Sequence, residues 1–217
     1  MTVRSTPATA SGADPLANGK LNAPAAERNV AAITDLLRRV APPTGEALEL
    51  ASGTGQHVAA FAAALPGLIW QPTEPDALRL ASIAAYRAEA GLANLRAPEA
   101  LDATVPGWGK DRSVDLVVLV NLLHLISEAE AKTLITEAAK ALRQNGVLVI
   151  YGPFMRAGEL TSDGDRAFHQ SLVSHDPDTG YKDDFDMLDQ MVEAGLSITL
   201  VGEMPANNLA LVGTREF

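Results

Sequence analysis

Leu48-Glu49-Leu50-Ala51-Ser52-Gly53-Thr54-Gly55-Gln56-His57 is the stretch from which the fold of this chain can be read. An apolar, strand-like lead-in ends in a turn of small residues. The alanine-rich run from Val58 to Leu65 then predicts a helix. Strand, glycine turn and helix together make a ligand-holding unit, because glycines let the backbone approach and the helix N-terminal amides face the ligand. A dinucleotide site of the G-x-G-x-x-G kind needs a third glycine at position 58, where Val58 stands. A carboxylate, Glu49, precedes the turn instead. The plain alternative is an ordinary strand-to-helix turn with an acid beside it by chance.

The surrounding chain narrows the reading. With 217 residues, 47% of them hydrophobic, it has the material for one domain with a full core. A net charge of −10 and a pI near 4.8 speak against nucleic-acid binding, which draws on clustered Lys and Arg. No apolar run approaches the roughly 20 residues of a membrane span, and the start lacks a charged-then-apolar signal pattern. The absence of cysteine removes disulfides and thiolate catalysis and fits a cytoplasmic compartment.

Residues 1 to 22, rich in Ala, Thr, Ser, Pro and Gly, are expected to be a flexible arm or a lid that orders on binding, with the domain proper over 23–217. Pro24 suits the first turn of a helix in which Val30, Ile33, Leu37 and Val40 recur at helical spacing. Strand one is Ala47 to Leu50, and a short second strand covers Leu68 to Gln71. Glu74 follows 19 residues after Gly55, near the ~20-residue interval at which an acid meets a ribose. Its alternative is a helix cap for Ala77 to Ala90, a role open to Asp76 as well.

Asn94 to Asp102 reads as an irregular third strand, and Val114 to Val120 as a central parallel strand buried on both faces. The latter ends in Asn121-Leu122-Leu123-His124, beyond the strand end where open α/β sheets hold their ligands. Ser127 and Glu130 predict a capping box for a helix running to Arg143. Strand five is Val147 to Tyr151, and the polar segment around 152–184 is placed to cover a site. A helix with Phe185, Leu188 and Val192 as its apolar stripe follows, then two last strands, Ser197 to Val201 and Asn208 to Val212.

The order acid, x, small, x, Gly, x, Gly in Glu49 to Gly55 resembles motif I of the class I S-adenosylmethionine methyltransferases, with Ala51 where the first glycine usually stands. Further strings are more specific: Pro24-Ala25-Ala26-Glu27-Arg28-Asn29, Trp70-Gln71-Pro72, Asn121-Leu122-Leu123-His124, Asp163-Gly164-Asp165-Arg166 and Met204-Pro205-Ala206-Asn207-Asn208-Leu209. With the glycine turn they resemble, in order from about Leu21 to the C-terminus, the methyltransferase-like family catalogued as domain of unknown function 938. That resemblance implies a Rossmann-like α/β fold: a seven-stranded, mostly parallel sheet ordered 3-2-1-4-5-7-6, the last strand antiparallel, helices on both faces. It also implies S-adenosylmethionine as cofactor, S-adenosylhomocysteine as product, and transferase activity without a settled substrate.

The cofactor-binding candidates are Arg28, Glu49, Ala51, Ser52, Gly53, Gly55, Gln56, Glu74, Asp102 and Asn121. The resemblance gives Glu49 the methionine amino group and Asp102 the adenine amino group, while Arg28 suits a bidentate bond to the methionine carboxylate. On the acceptor side stand His124, Tyr151, Asp163, Arg166 and His169. His124 is the candidate base, since imidazole titrates near neutrality, against a purely structural role. His169 and His175 beside the aspartates match no metal-ligand spacing, so no metal is expected. The leading expectation is methyl transfer to a small molecule, by a monomer or homodimer with no nucleic-acid or membrane partner. A protein methyltransferase and a non-catalytic cofactor-binding partner protein are the alternatives.

Overall fold

A computed structural model describes residues 12–216. Its centre is a sheet built from β3 (Gly45–Leu50), β4 (Leu68–Glu74), β5 (Glu99–Ala100), β6 (Val114–Val120), β7 (Leu142–Met155), β8 (Lys182–Asp183), β9 (Leu196–Met204) and β10 (Asn208–Arg215). The order across it is β5-β4-β3-β6-β7-β10-β9, which is the expected 3-2-1-4-5-7-6. β10 runs antiparallel to both its neighbours. The eighth strand is the departure. β7 runs past the end of β6, and β8 pairs with this overhang, Phe154 opposite Lys182 and Met155 opposite Asp183.

Among the described residues six α-helices flank the sheet: α1 (Pro24–Val40), α2 (Gln56–Ala64), α3 (Ala77–Ala90), α4 (Glu128–Ala141), α5 (Asp163–His175) and α6 (Asp184–Glu193). The period-two alternation of the central strands divides the core between two faces. Leu116 and Val118 pack with Ile33, Leu37, Phe61 and Ile83 of α1, α2 and α3. Val117 and Leu119 pack with Leu134, Ile135, Met187 and Met191 of α4 and α6. The capping box predicted for Ser127 and Glu130 starts α4. Among the described residues no helix is long and apolar enough to cross a membrane.

Several boundaries differ from expectation for local reasons. The third strand shrinks to two residues and one isolated Trp70–Leu95 bridge, since Pro98 cannot donate to a ladder. α6 turns a different face inward. Met187 and Met191 are fully buried, whereas Phe185 and Val192 are 59% and 56% exposed. Met191 reaches Gly213 of β10, where a Cβ would lie 2.9 Å from its flexible Cε.

The expected arm divides in two. Residues 1–11 lie outside the described residues. Beyond them β1 (Asp14–Pro15) and β2 (Leu21–Asn22) pair antiparallel across a 3-10 turn, forming a hairpin docked on the domain. Leu21 N–H donates to Ser82 Oγ at 2.8 Å, Tyr86 Oη donates to Leu21 O at 3.1 Å, and Lys20 Nζ pairs with Glu89 at 2.6 Å.

Candidate functional site

The sheet order reverses between β3 and β6, and a cavity of about 930 Å³ opens at their C-terminal ends. Such a switch point is where an open α/β sheet receives its ligand. The glycine turn forms one wall. Three of its residues hold positive φ: Ala51 at 50°, Gly53 at 58° and Gly55 at 94°. Gly55 is required by packing, since a Cβ there would fall 2.8 Å from Ile83 Cα. Gly53 differs. A Cβ there would make only ordinary contacts, with Ala51 O and Arg79 Nη1 at 3.9 Å, and the residue lines the cavity wall. Ala51 takes the left-handed conformation with a methyl group in place, a conformation that favours glycine.

Glu49 lies beneath this turn, buried yet lining the cavity, and among the described residues its Oε2 has no hydrogen-bond partner. Burial pushes its pKa up to about 8, opposed by a bond with Ser52 and reinforced by the charge of Glu74. A buried acceptor without a donor is costly unless a ligand supplies one. Glu74, expected against a ribose, is bound to protein in this structure. Its Oε2 accepts from Gly53 N–H at 2.9 Å and its Oε1 from Asp76 N–H at 3.3 Å, and it does not line the cavity. β4 continues to Glu74 and tucks the carboxylate under the turn as a brace. Burial raises its pKa, with the Arg79 guanidinium acting against this.

The other cofactor-side candidates separate clearly. Arg28, Ala51, Ser52, Gly53 and Asn121 line the cavity; Gly55, Gln56 and Asp102 do not. Gln56 joins the N-terminal hairpin to α2, accepting from Ala23 N–H at 2.7 Å and donating to Asn22 Oδ1 at 2.7 Å. Asp102 Oδ1 accepts from Thr104 N–H and Oγ1 at 3.0 and 2.6 Å, closing its own turn.

On the acceptor side, His124 and Tyr151 line the cavity, whereas Asp163, Arg166 and His169 do not. His124 is buried, its pKa lowered to about 3 by desolvation and by the nearby Lys182 charge. Burial raises the Tyr151 pKa, moderated by the Asn29 side chain. Asp163 faces outward, 99% exposed, paired with Arg166 at 2.5 Å. His169 Nδ1 accepts from Tyr181 N–H at 3.1 Å and so fixes the segment after α5. The residue that latches this segment is Asp165. Its carboxylate accepts from Ser162 Oγ at 2.7 Å, Thr161 Oγ1 at 3.1 Å, Asn207 Nδ2 at 3.2 Å and Tyr181 Oη at 3.1 Å. These bonds outweigh partial burial and hold its pKa below the ordinary value.

Sequence reasoning missed Asn29, His57, Arg79, Phe168, Tyr181 and Asn208 as cavity residues. His57 Nε2 sits 2.7 Å from Asn29 Oδ1 and its ring stacks on Phe61, with burial lowering its pKa to about 4. Asn29, His57 and Asn208 fall inside the strings that carry the family resemblance, which was the available signal. Arg79, Phe168 and Tyr181 carried none.

Over residues 20–215 the chain matches the model of a family described as "Protein of unknown function (DUF938)". The chain belongs to this family. Among solved structures, the DUF938 protein is similar to an O-methyltransferase family protein from Burkholderia thailandensis, with TM-score 0.76 and 17% identity over 88% of this chain and 56% of that one. A putative O-methyltransferase from Nostoc punctiforme PCC 73102 gives 0.73 and 20% over 85% of this chain and 55% of that one. CalO1, a methyltransferase in calicheamicin biosynthesis solved with S-adenosylhomocysteine, gives 0.67 and 15% over 84% of this chain and 53% of that one. The DUF938 protein thus spans little more than half the length of these neighbours, and the shared part is the class I methyltransferase fold.

Proposed function

We propose that this DUF938 protein binds S-adenosylmethionine and directs its methyl group to a small-molecule acceptor. The observation that carries the reading is the buried, partnerless Glu49 Oε2 beside Gly53 of the cavity wall, at the switch point of the sheet. An ammonium group suits that oxygen, and the methionine part of the cofactor has one. Arg28 lies on the same cavity from α1 and suits the neighbouring carboxylate. The likeness to methyltransferase structures, one of them holding S-adenosylhomocysteine, supports the choice of ligand.

When bound, the cofactor supplies a methyl group on a sulfonium, which in-line displacement moves to a nucleophile while the bonding pair stays on sulfur. The chain's contribution is to position the reactants and exclude water. His124, neutral at pH 7, accepts a hydrogen bond from an acceptor hydroxyl or amine and orients it; a group titrating near pH 3 holds a proton poorly, so the proton lost on methylation passes to water. The covering segment favours a small molecule over a protein chain. Asp165 ties α5 to the β9–β10 link through Asn207, and Phe168 and Tyr181 of this segment line the cavity.

Calorimetric titration with S-adenosylmethionine, S-adenosylhomocysteine and NAD tests the cofactor. Micromolar binding of the first two alone is the expected result. Failure of both to bind, or binding of NAD, removes the proposal.

A further inference from the structure

The cavity has a chemically distinct side. Its charged lining residues among those described, Asp14, Arg28, Glu49 and Arg79, come from the N-terminal hairpin, α1, β3 and α3. The turn after β6, the end of β7, the α5 segment and the β9–β10 link contribute only uncharged residues to the lining. Three of these are rings that meet edge to face. His124 and Phe168 have centroids 5.7 Å apart at 61°, His124 and Tyr181 6.3 Å at 64°, and Phe168 and Tyr181 6.0 Å at 73°. Leu122, Leu125 and Pro153 extend this wall.

We propose that this wall of His124, Phe168 and Tyr181 selects an uncharged, flat ring system as the methyl acceptor, an inference that rests on the methyl-transfer reading above. Rings that pack edge to face offer a further ring the same geometry, along with apolar area to bury. A charged group entering here gives up its water without meeting an opposite charge among the residues of these elements that line the cavity. A cation is opposed further. The Lys182 ammonium, buried behind His124 and held by the carbonyls of Ile126 and Gly180 at 2.8 and 3.0 Å, already acts on that ring. The Tyr181 hydroxyl is engaged with Asp165, and the residue lines the cavity. Neutral His124 and the amide of Asn121 line the same cavity and offer hydrogen-bonding groups to a hydroxyl on the ring.

The test is calorimetric titration of the protein, loaded with S-adenosylhomocysteine, with 2-naphthol, 2-naphthoate and 2-naphthylmethylammonium. The expected result is 2-naphthol binding at least about tenfold tighter than either ion. Phe168→Ala is expected to weaken 2-naphthol about tenfold or more while S-adenosylhomocysteine affinity and the thermal transition hold. Phe168→Leu, which keeps bulk without the ring, is expected to fall between and stands in if the alanine variant does not fold. Equal or tighter binding of an ion, no binding of 2-naphthol, or indifference to both Phe168 variants overturns the proposal. Failure of S-adenosylhomocysteine to bind is a separate result that removes the cofactor reading. The three naphthyl titrations then run on the ligand-free protein, where the same ranking decides.

Discussion

The backbone N–H of Gly53 donates to the Glu74 carboxylate at 2.9 Å, so the acid at the end of β4 holds up the glycine turn from below. Glu74→Ala leaves that amide without its buried partner and should cost about 1–3 kcal/mol of stability in the ligand-free protein. Glu74→Gln keeps an acceptor oxygen and should cost less. Chemical denaturation of the three proteins without ligand checks this. An acid retained only to meet a ribose would leave ligand-free stability unmoved.

Ala51 holds φ at 50°, where glycine is free of the Cβ penalty. Ala51→Gly should therefore be neutral or stabilising by up to about 1 kcal/mol, the relief of strain exceeding the added freedom of the unfolded chain. Ala51→Val places a branched side chain in the same conformation and should destabilise by about 2 kcal/mol or more. Thermal unfolding of both variants distinguishes this from an alanine that is indifferent to its position.

Asp165 gathers Ser162, Thr161, Asn207 and Tyr181, and so ties α5 to the β9–β10 link and to a residue of the cavity wall. Asp165→Ala should raise hydrogen exchange across α5 and at the β9–β10 link, while exchange in β3 and β6 stays protected. Tyr181→Phe removes one bond to a charged acceptor and should give the same pattern more weakly. Because the folded pKa of Asp165 lies below its unfolded value, its contribution is full above the unfolded pKa and is lost as pH falls through the folded one. Acid should therefore loosen the segment that Asp165 holds, with exchange rising first in α5.

Much of the sheet could be read in advance because its signals are local. Val114–Val120 is a continuous apolar run, Ser127 and Glu130 are a capping box, and the glycine turn marks the boundary between β3 and α2. The site was less legible because its side chains take roles from distant partners. Glu74 had the right spacing for a ribose, yet Gly53 N–H, 21 residues away, claims its carboxylate. Asp163 and Asp165 sit two positions apart on one helix, and only contact with Asn207 and Tyr181 makes the second a latch and the first a surface charge. Phe185 and Val192 had helical spacing as good as that of Met187 and Met191, and only packing against the sheet separates the exposed pair from the buried one.

Glu49 carries a pH dependence of the opposite sign to Asp165. Its folded pKa, about 8, stands well above the ordinary carboxylate value, so the folded state binds more protons between those values. Stability from this group is full below the unfolded pKa and is lost as pH rises through about 8. Glu49→Gln, with a neutral side chain of similar shape, should remove that slope and stabilise the ligand-free protein at pH 7 by on the order of 2–3 kcal/mol. Denaturation at pH 6 and pH 8.5 checks the slope in both proteins.

The most direct test of the central claim is proton release on S-adenosylhomocysteine binding, measured calorimetrically at pH 7 in buffers of different ionisation enthalpy. Ligand-free Glu49 is mostly protonated at that pH, and an ammonium group placed against Oε2 ionises it. The account predicts release of nearly one proton per ligand from the native protein, and loss of that release together with much of the affinity in Glu49→Gln. Equal proton release and equal affinity in the two proteins would contradict it.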